Sequence, residues 1–251
     1  MRLWVVMPIY NEAPVLERGV ERVLATPPPV GRDGDPMVRT LVLVDDGSTD
    51  GSARIAERLA EREGVSCVLR ERNGGKGRAV AAGLAAALEG GADAALIQDA
   101  DLEYDPADHG RVLAPLVAGQ ADAVIGSRFI GETHRVLYYW HSVGNRALTT
   151  LSNMLSNLNL TDMECGTKAF SRPVLERLRL TEPRFGVEPE IVARLSRMRL
   201  PDDAGGGVDR PLRIYEVPVR YAGRTYAEGK KIGWRDGLEA LRCIAQHNLF
   251  G

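Results

Sequence analysis

The sequence predicts an α/β fold, a mostly parallel sheet with helices on both faces. Three observations carry that expectation. Short apolar runs alternate with amphipathic helix-like segments through the first half of the chain. Each apolar run ends in a polar, acidic or Gly-bearing stretch. And 251 residues, 44% of them hydrophobic, suffice for one large core.

Leu3–Met7 reads as a buried strand. Glu12–Ala25 has helical spacing at Val15, Leu16, Val20, Val23 and Leu24. A Pro- and Gly-rich loop from Pro27 to Pro36 follows, then a second strand at Thr40–Val44. Asp50–Glu63 is a helix capped by Asp50 or Ser52. Val65–Leu69 is the third strand, Gly77–Leu88 an Ala-rich helix, Ala94–Gln98 the fourth strand, Pro106–Ala118 a helix and Ala123–Gly126 the fifth strand. The second half is less regular. Tyr138–Leu158 and Val187–Met198 are helical, Asp202–Asp209 is loose and Gly-rich, Leu212–Val219 is a strand, and Ile232–His247 closes as a helix. No internal repeat appears, and no linker separates independent domains.

Composition excludes some classes. The net charge of −2 does not favour nucleic acid. Cys67, Cys165 and Cys243 have neither metal spacing nor a disulfide framework, which fits a reducing, cytoplasmic setting. Met1-Arg2 leads straight into a strand rather than a signal peptide, and no run reaches the roughly 20 apolar residues of a membrane span. The apolar side of Tyr138–Leu158 serves as core or a homodimer contact, or rests peripherally on a membrane. His109 and His141 read as structural, since no second His sits at metal spacing.

In a parallel sheet, ligands sit beyond the carboxyl ends of the strands. Asp99-Ala100-Asp101 stands there after the fourth strand, with Glu103 and Asp105 close behind. Two carboxylates around one small residue suit a divalent ion shared with substrate phosphates. By itself the pair equally describes an acidic turn capping the next helix. Asp45-Asp46-Gly47-Ser48-Thr49-Asp50, after the second strand, combines turn and cap residues with a carboxylate able to accept from a base or ribose. Asn73-Gly74-Gly75-Lys76-Gly77 opens a helix where backbone can approach an anion. It lacks the spacing of an ATPase P-loop.

Taken in order, Pro8-Ile9-Tyr10-Asn11-Glu12, the Asp45–Asp50 segment, Gly75-Lys76-Gly77, Asp99-Ala100-Asp101 and Gly126-Ser127-Arg128-Phe129 resemble the family 2 glycosyltransferases of GT-A fold. Within them the chain looks most like the polyprenyl-phosphate sugar transferases typified by dolichyl-phosphate mannose synthase. The resemblance implies one catalytic domain, 1–251. Its nucleotide-sugar-binding half is 1–131, and its acceptor-side half, 132–251, forms a C-terminal subregion. Pro8, Tyr10, Glu12, Asp46, Lys76, Asp99 and Ala100 would bind the donor. Asp99, Asp101 and Glu103 would hold Mg²⁺ or Mn²⁺, and Arg128 would meet the acceptor phosphate or the leaving diphosphate. Asp162–Lys168 resembles the lining of the sugar and acceptor pocket, Phe185–Glu190 the start of an acceptor-side helix, and Tyr221–Ile232 a basic loop.

The implied reaction moves mannose or glucose, with inversion, from GDP-mannose or UDP-glucose to a polyprenyl or dolichyl phosphate. Cations near the leaving diphosphate would stabilise its charge. Asp101, Arg128 and Lys168 are therefore the candidate catalytic residues, and Arg128, Arg224, Lys230 and Lys231 the candidate phosphate contacts. A phosphate acceptor is already anionic and needs no general base. A hydroxyl acceptor would need one, for which Asp162, Glu164, Glu188 and Glu190 are candidates, each equally a cap or ion-pair partner. Two other readings remain at this point: the same donor chemistry on a glycan or natural product, and a sugar-nucleotide-binding module without turnover. A nucleotidyltransferase is disfavoured, because Pro8–Glu12 stands where a Gly-rich, Arg-bearing loop is expected.

Overall fold

The computed structural model describes residues 1–131, 135, 138–202, 209–224 and 234–250. In chain order these form β1 (Arg2–Ile9), α1 (Ala13–Ala25), β2 (Val38–Asp45), α2 (Ser52–Leu59), β3 (Val65–Leu69), α3 (Lys76–Glu89) and β4 (Ala94–Ile97). A 3-10 turn (Pro106–Asp108), α4 (His109–Val117), β5 (Ala123–Ser127), α5 (Tyr139–Ser156), β6 (Lys168–Ser171) and α6 (Arg172–Leu175) follow. The last elements are α7 (Val187–Arg197), β7 (Arg199–Pro201), β8 (Asp209–Pro211), β9 (Ile214–Pro218) and α8 (Trp234–Leu249).

Seven strands form one sheet in the order β3-β2-β1-β4-β6-β5-β9, and β7 pairs with β8 separately. The mostly parallel α/β sheet expected from the sequence is present. β1 pairs in parallel with β2 and β4, β2 with β3, and β5 with β9. Alternate residues of each strand face opposite cores. Val5 and Met7 join Leu16, Val20 and Leu113 on one face, while Val6, Val42 and Val44 join Val80, Leu84 and Ile191 on the other.

The sequence reading missed β6, the one antiparallel strand of the large sheet, which lies between β4 and β5. It has only four residues and begins with a lysine, so no apolar run announces it. Ala169 and Phe170 are nevertheless fully buried, one in each core. Being antiparallel, β6 starts where β4 and β5 end: Lys168 is in register with both Ile97 and Ile125. The segment before it is thereby laid against the acidic turn that follows β4.

Several boundaries moved. The second helix starts at Ser52 rather than Asp50, because Gly51 at φ 99° is the cap residue. Asp50 still serves the helix starts, accepting from Ser52 N at 3.0 Å and from Ala13 N at 3.0 Å. The helix expected from Pro106 begins as a 3-10 turn, with Asp105 accepting from Ala107 N at 3.1 Å. The Gly-rich 202–209 stretch ends in β8, and 203–208 lie outside the described residues. No helix among the described residues is long and apolar enough to cross a membrane.

Candidate active site

The carboxyl ends of β1, β2 and β4 meet where the strand order reverses, and the loops there are stitched together. Asn11, at φ 51°, donates its N–H to Ser48 Oγ (3.0 Å), and its side chain accepts from Thr49 N (2.8 Å). Glu12 N donates to Ser52 Oγ (3.0 Å). Pro8 lies within β1, and Tyr10 is partly exposed at the mouth. Asp46 is buried and accepts from Gly74 N (3.1 Å), Gly75 N (2.6 Å) and the Arg70 guanidinium. The carboxylate expected to face a nucleoside thus also orders the Gly74–Gly75 loop. Arg70, directly after β3, escaped the sequence reading; an arginine one residue past a strand end, level with the Asp45-Asp46 pair, was the available signal.

The acidic turn is the centre. Ala100 is buried between the two carboxylates, and Leu102 at φ 66° turns the chain just after Asp101. Asp99 Oδ2 accepts from Lys76 Nζ at 2.9 Å. Asp101 Oδ2 accepts from Arg224 Nη2 at 3.2 Å, and its Oδ1 from Glu103 N at 3.1 Å. Arg224 also reaches Glu12 Oε2 at 3.3 Å. The arginine expected on the acceptor side therefore sits on two carboxylates expected on the donor side. Gly166 lies over the same point: a Cβ there would stand 2.4 Å from Asp99 Oδ2 and 3.2 Å from Lys76 Nζ.

These residues fit a divalent cation. Burial, then the charges of Asp99 and Glu103, push the Asp101 carboxyl up to about 7 against the pull of Arg224. A cation would relieve that repulsion. Among the described residues no three His, Cys, Asp or Glu side chains are gathered to hold one ion, so Asp99, Asp101 and Glu103 do not form a ready three-ligand set. Glu103 turns instead to the Tyr221 hydroxyl (3.0 Å) and Arg224 N (2.7 Å). Two carboxylates with phosphate oxygens are an ordinary Mg²⁺ arrangement.

Arg128, after β5, is held bidentately by Asp162, with Nε–Oδ2 at 2.6 Å and Nη2–Oδ1 at 2.7 Å. Its guanidinium carbon lies 5.2 Å from the Tyr221 ring centroid. A cavity of about 340 Å³ opens beside Glu103 and Tyr221, edged by Arg22, Arg135 and Arg220. Lys168 differs from expectation. It is fully buried, and its ammonium donates to Met163 O at 3.3 Å, to Cys165 O and to Glu188. Those contacts use its three donors, so Lys168 is corrected from a diphosphate contact to a buried anchor. Lys230 and Lys231 lie outside the described residues.

The base candidates also separate. Asp162 and Glu188 are held below their usual range, because Arg128 on one and Lys168 with Lys76 on the other outweigh burial. Glu190 is occupied by Thr181 N (2.9 Å), Glu182 N (2.8 Å) and Arg194. Glu164 alone of the four is raised, to about 7, by burial and then by Glu188, and its Oε1 is buried without a partner. His109 is structural: Nε2 meets Gln98 Oε1 at 2.8 Å, and burial, with help from Arg39, lowers it to about 4.

Comparison with known proteins agrees with this architecture. The model of the family described as "Glycosyl transferase family 2" matches residues 4–179. Polyprenol monophosphomannose synthase of Mycolicibacterium smegmatis is 33% identical over 100% of this chain and 88% of its own length. Undecaprenyl-phosphate mannosyltransferase of Micrococcus luteus is 30% identical over 93% and 88%. UDP-N-acetylglucosamine–dolichyl-phosphate N-acetylglucosaminyltransferase of Methanococcus voltae is 26% identical over 92% and 90%. Among solved structures, glucosyl-3-phosphoglycerate synthase of Mycobacterium tuberculosis, in complex with Mn²⁺, uridine diphosphate and glucosyl-3-phosphoglycerate, superposes with a TM-score of 0.68. That match has 21% identity and covers 98% of this chain and 80% of that one, so it supports the GT-A fold alone. The chain belongs to glycosyl transferase family 2.

Proposed function

We propose that this family 2 glycosyltransferase moves a hexose from a nucleoside diphosphate sugar to a polyprenyl phosphate, with a divalent cation on Asp99 and Asp101. The observation that carries the reading is the convergence on the acidic turn: Lys76 on Asp99 from one side and Arg224 on Asp101 from the other. The bound ion would stabilise charge on the departing diphosphate. Asp46, with the Gly74–Gly75 loop it orders, and Tyr10 at the mouth frame the nucleoside. Arg224 joins the donor carboxylates to the acceptor side. The cavity beside Tyr221, lined by Arg22, Arg135 and Arg220 together with Glu103 and Asp105, would receive an acceptor phosphate, and Arg128, fixed by Asp162, stands against the Tyr221 ring. A phosphate monoester needs alignment rather than deprotonation, so direct in-line attack inverts the anomeric carbon. The 33% and 30% identical relatives, named for transfer to polyprenol and undecaprenyl phosphates, support this acceptor class. Mannose is the first choice of sugar because both are mannosyl transferases by name.

A second reading, a hydroxyl acceptor, is favoured by Glu164, whose raised pKa and unpartnered oxygen suit a base. One assay separates the two. Purified protein with Mn²⁺ is given labelled GDP-mannose, UDP-glucose or UDP-N-acetylglucosamine, with a short polyprenyl phosphate or the matching polyprenol. Labelled lipid is expected with the phosphate and none with the alcohol. No lipid-linked product from any donor would end the first reading.

A further inference from the structure

A chain of alternating charges runs from the sheet core into the candidate site. Lys168, fully buried at the start of β6, meets Glu188 Oε2. Glu188, nearly buried in the first turn of α7, meets Lys76 Nζ through Oε1 at 3.1 Å. Lys76, the first residue of α3, meets Asp99 Oδ2 at 2.9 Å. Glu188 lies outside the acidic turn, and its two oxygens are engaged by the two lysines.

We propose that Glu188 is a positioning residue that governs how well Asp99 holds a cation, by sharing Lys76 with it; Lys168 governs Glu188 in turn. The inference rests on the reading of Asp99 as a metal ligand. A lysine divided between two carboxylates neutralises neither fully, so Asp99 keeps negative charge for a cation. Without the Glu188 charge, Lys76 has only Asp99 to oppose it and becomes a stronger competitor for that oxygen. Without the Lys168 charge, Glu188 has only Lys76 and draws it off Asp99. Removing either end of the Lys168–Glu188 pair therefore changes cation affinity in opposite directions. A merely structural role would weaken it in both cases.

The test titrates Mn²⁺ alone into wild type, Glu188→Gln and Lys168→Met, following free Mn²⁺ by electron paramagnetic resonance and checking folding by circular dichroism. Glu188→Gln is expected to bind more weakly by on the order of tenfold, the smaller effect of a charge a few Å from a carboxylate. Lys168→Met is expected to bind more tightly than wild type. Should a single variant fail to fold, the double variant K168M/E188Q removes the buried pair together. It is expected to match Glu188→Gln, because Lys76 again has Asp99 alone. Placing Glu188→Gln on Lys76→Met should shrink its effect; an undiminished effect overturns the sharing of Lys76. Shifts of the same sign, or variants that bind as wild type does, also overturn the proposal. Wild-type protein with no Mn²⁺ affinity would end the metal reading, and this one with it.

Discussion

At the scale of single residues, the site depends on side chains that are absent as much as on those present. Gly166 donates its N–H to the Tyr104 hydroxyl at 3.0 Å, which presses the 162–168 segment against Asp99. The space for a Cβ is taken by the Asp99 carboxylate, so Gly166→Ala must push Asp99 aside. Displacement of a reacting group by about 1 Å can cost on the order of 100-fold in rate. Gly166→Ala is expected to lower kcat/KM by roughly 10- to 100-fold, with circular dichroism unchanged. Wild-type turnover would show that Asp99 does not need its observed position. Much of this site was legible in the sequence. Asp99 and Asp101 were found because strand ends are where a parallel sheet binds ligands, and Lys76 because it opens a helix after glycines. The sequence offers Glu188 as a base, a cap or an ion-pair partner without naming its partner, and Lys168 as a cation near the diphosphate. Their pairing depends on β6 and α7 meeting in space, and nothing local in either segment encodes that.

At the scale of elements, one carboxylate reinforces the β5–β9 ladder at the far edge of the sheet. Asp122, just before β5, accepts from Arg210 Nη1 (2.6 Å), Arg213 N (2.8 Å) and Arg213 Nη2 (3.0 Å). It thereby fastens β8 and β9 to β5. Because β9 leads directly to Tyr221 and Arg224, this edge also delivers those two side chains to the acidic turn. Sequence periodicity found β9 and the parallel strands but not this clasp, for the same reason it missed β6: short segments joined by polar contacts carry no apolar signature. Burial by itself would raise the Asp122 pKa, yet Arg210 and Arg213 hold it well below the usual carboxylate range. A depressed folded-state pKa stabilises the protein above the unfolded value near 4, and the contribution fades as pH falls toward the folded value. Asp122→Ala is expected to cost about 2–3 kcal/mol at pH 7, less than a fully buried pair because Arg213 is partly exposed. That corresponds to roughly 5–10 °C in Tm for a chain of this size. The gap between variant and wild type should narrow below about pH 4. A gap that stays constant with pH would mean that the carboxylate's charge is not what fastens the edge.

At the scale of the whole molecule, the fold gathers like charges where it would be more stable without them. Glu12 from the end of β1, Asp99 and Asp101 from the end of β4, and Glu103 beside them share the ammonium of Lys76 and the guanidinium of Arg224. The result is the raised Asp101 pKa of about 7, caused first by burial and then by Asp99 and Glu103. A folded-state pKa above the unfolded value means that stability is fully present below the unfolded pKa near 4 and is lost as pH rises through about 7. Asp101→Asn removes that penalty while keeping the shape of the side chain. In the absence of ligand it should melt well above wild type at pH 8 and close to it only below about pH 4. Its response to ligand should be opposite. Mn²⁺ with GDP or UDP stabilises a folded state that binds it by mass action, so wild type should gain several °C at saturating ligand. Asp101→Asn should gain little and should fail to turn over. Differential scanning fluorimetry across pH, with and without Mn²⁺ and nucleotide, reads both halves together. If Asp101→Asn melts below wild type at pH 8, the carboxylate cluster is not a stability cost held for binding. If it keeps the full ligand shift, Asp101 is not the group that the ion and diphosphate engage.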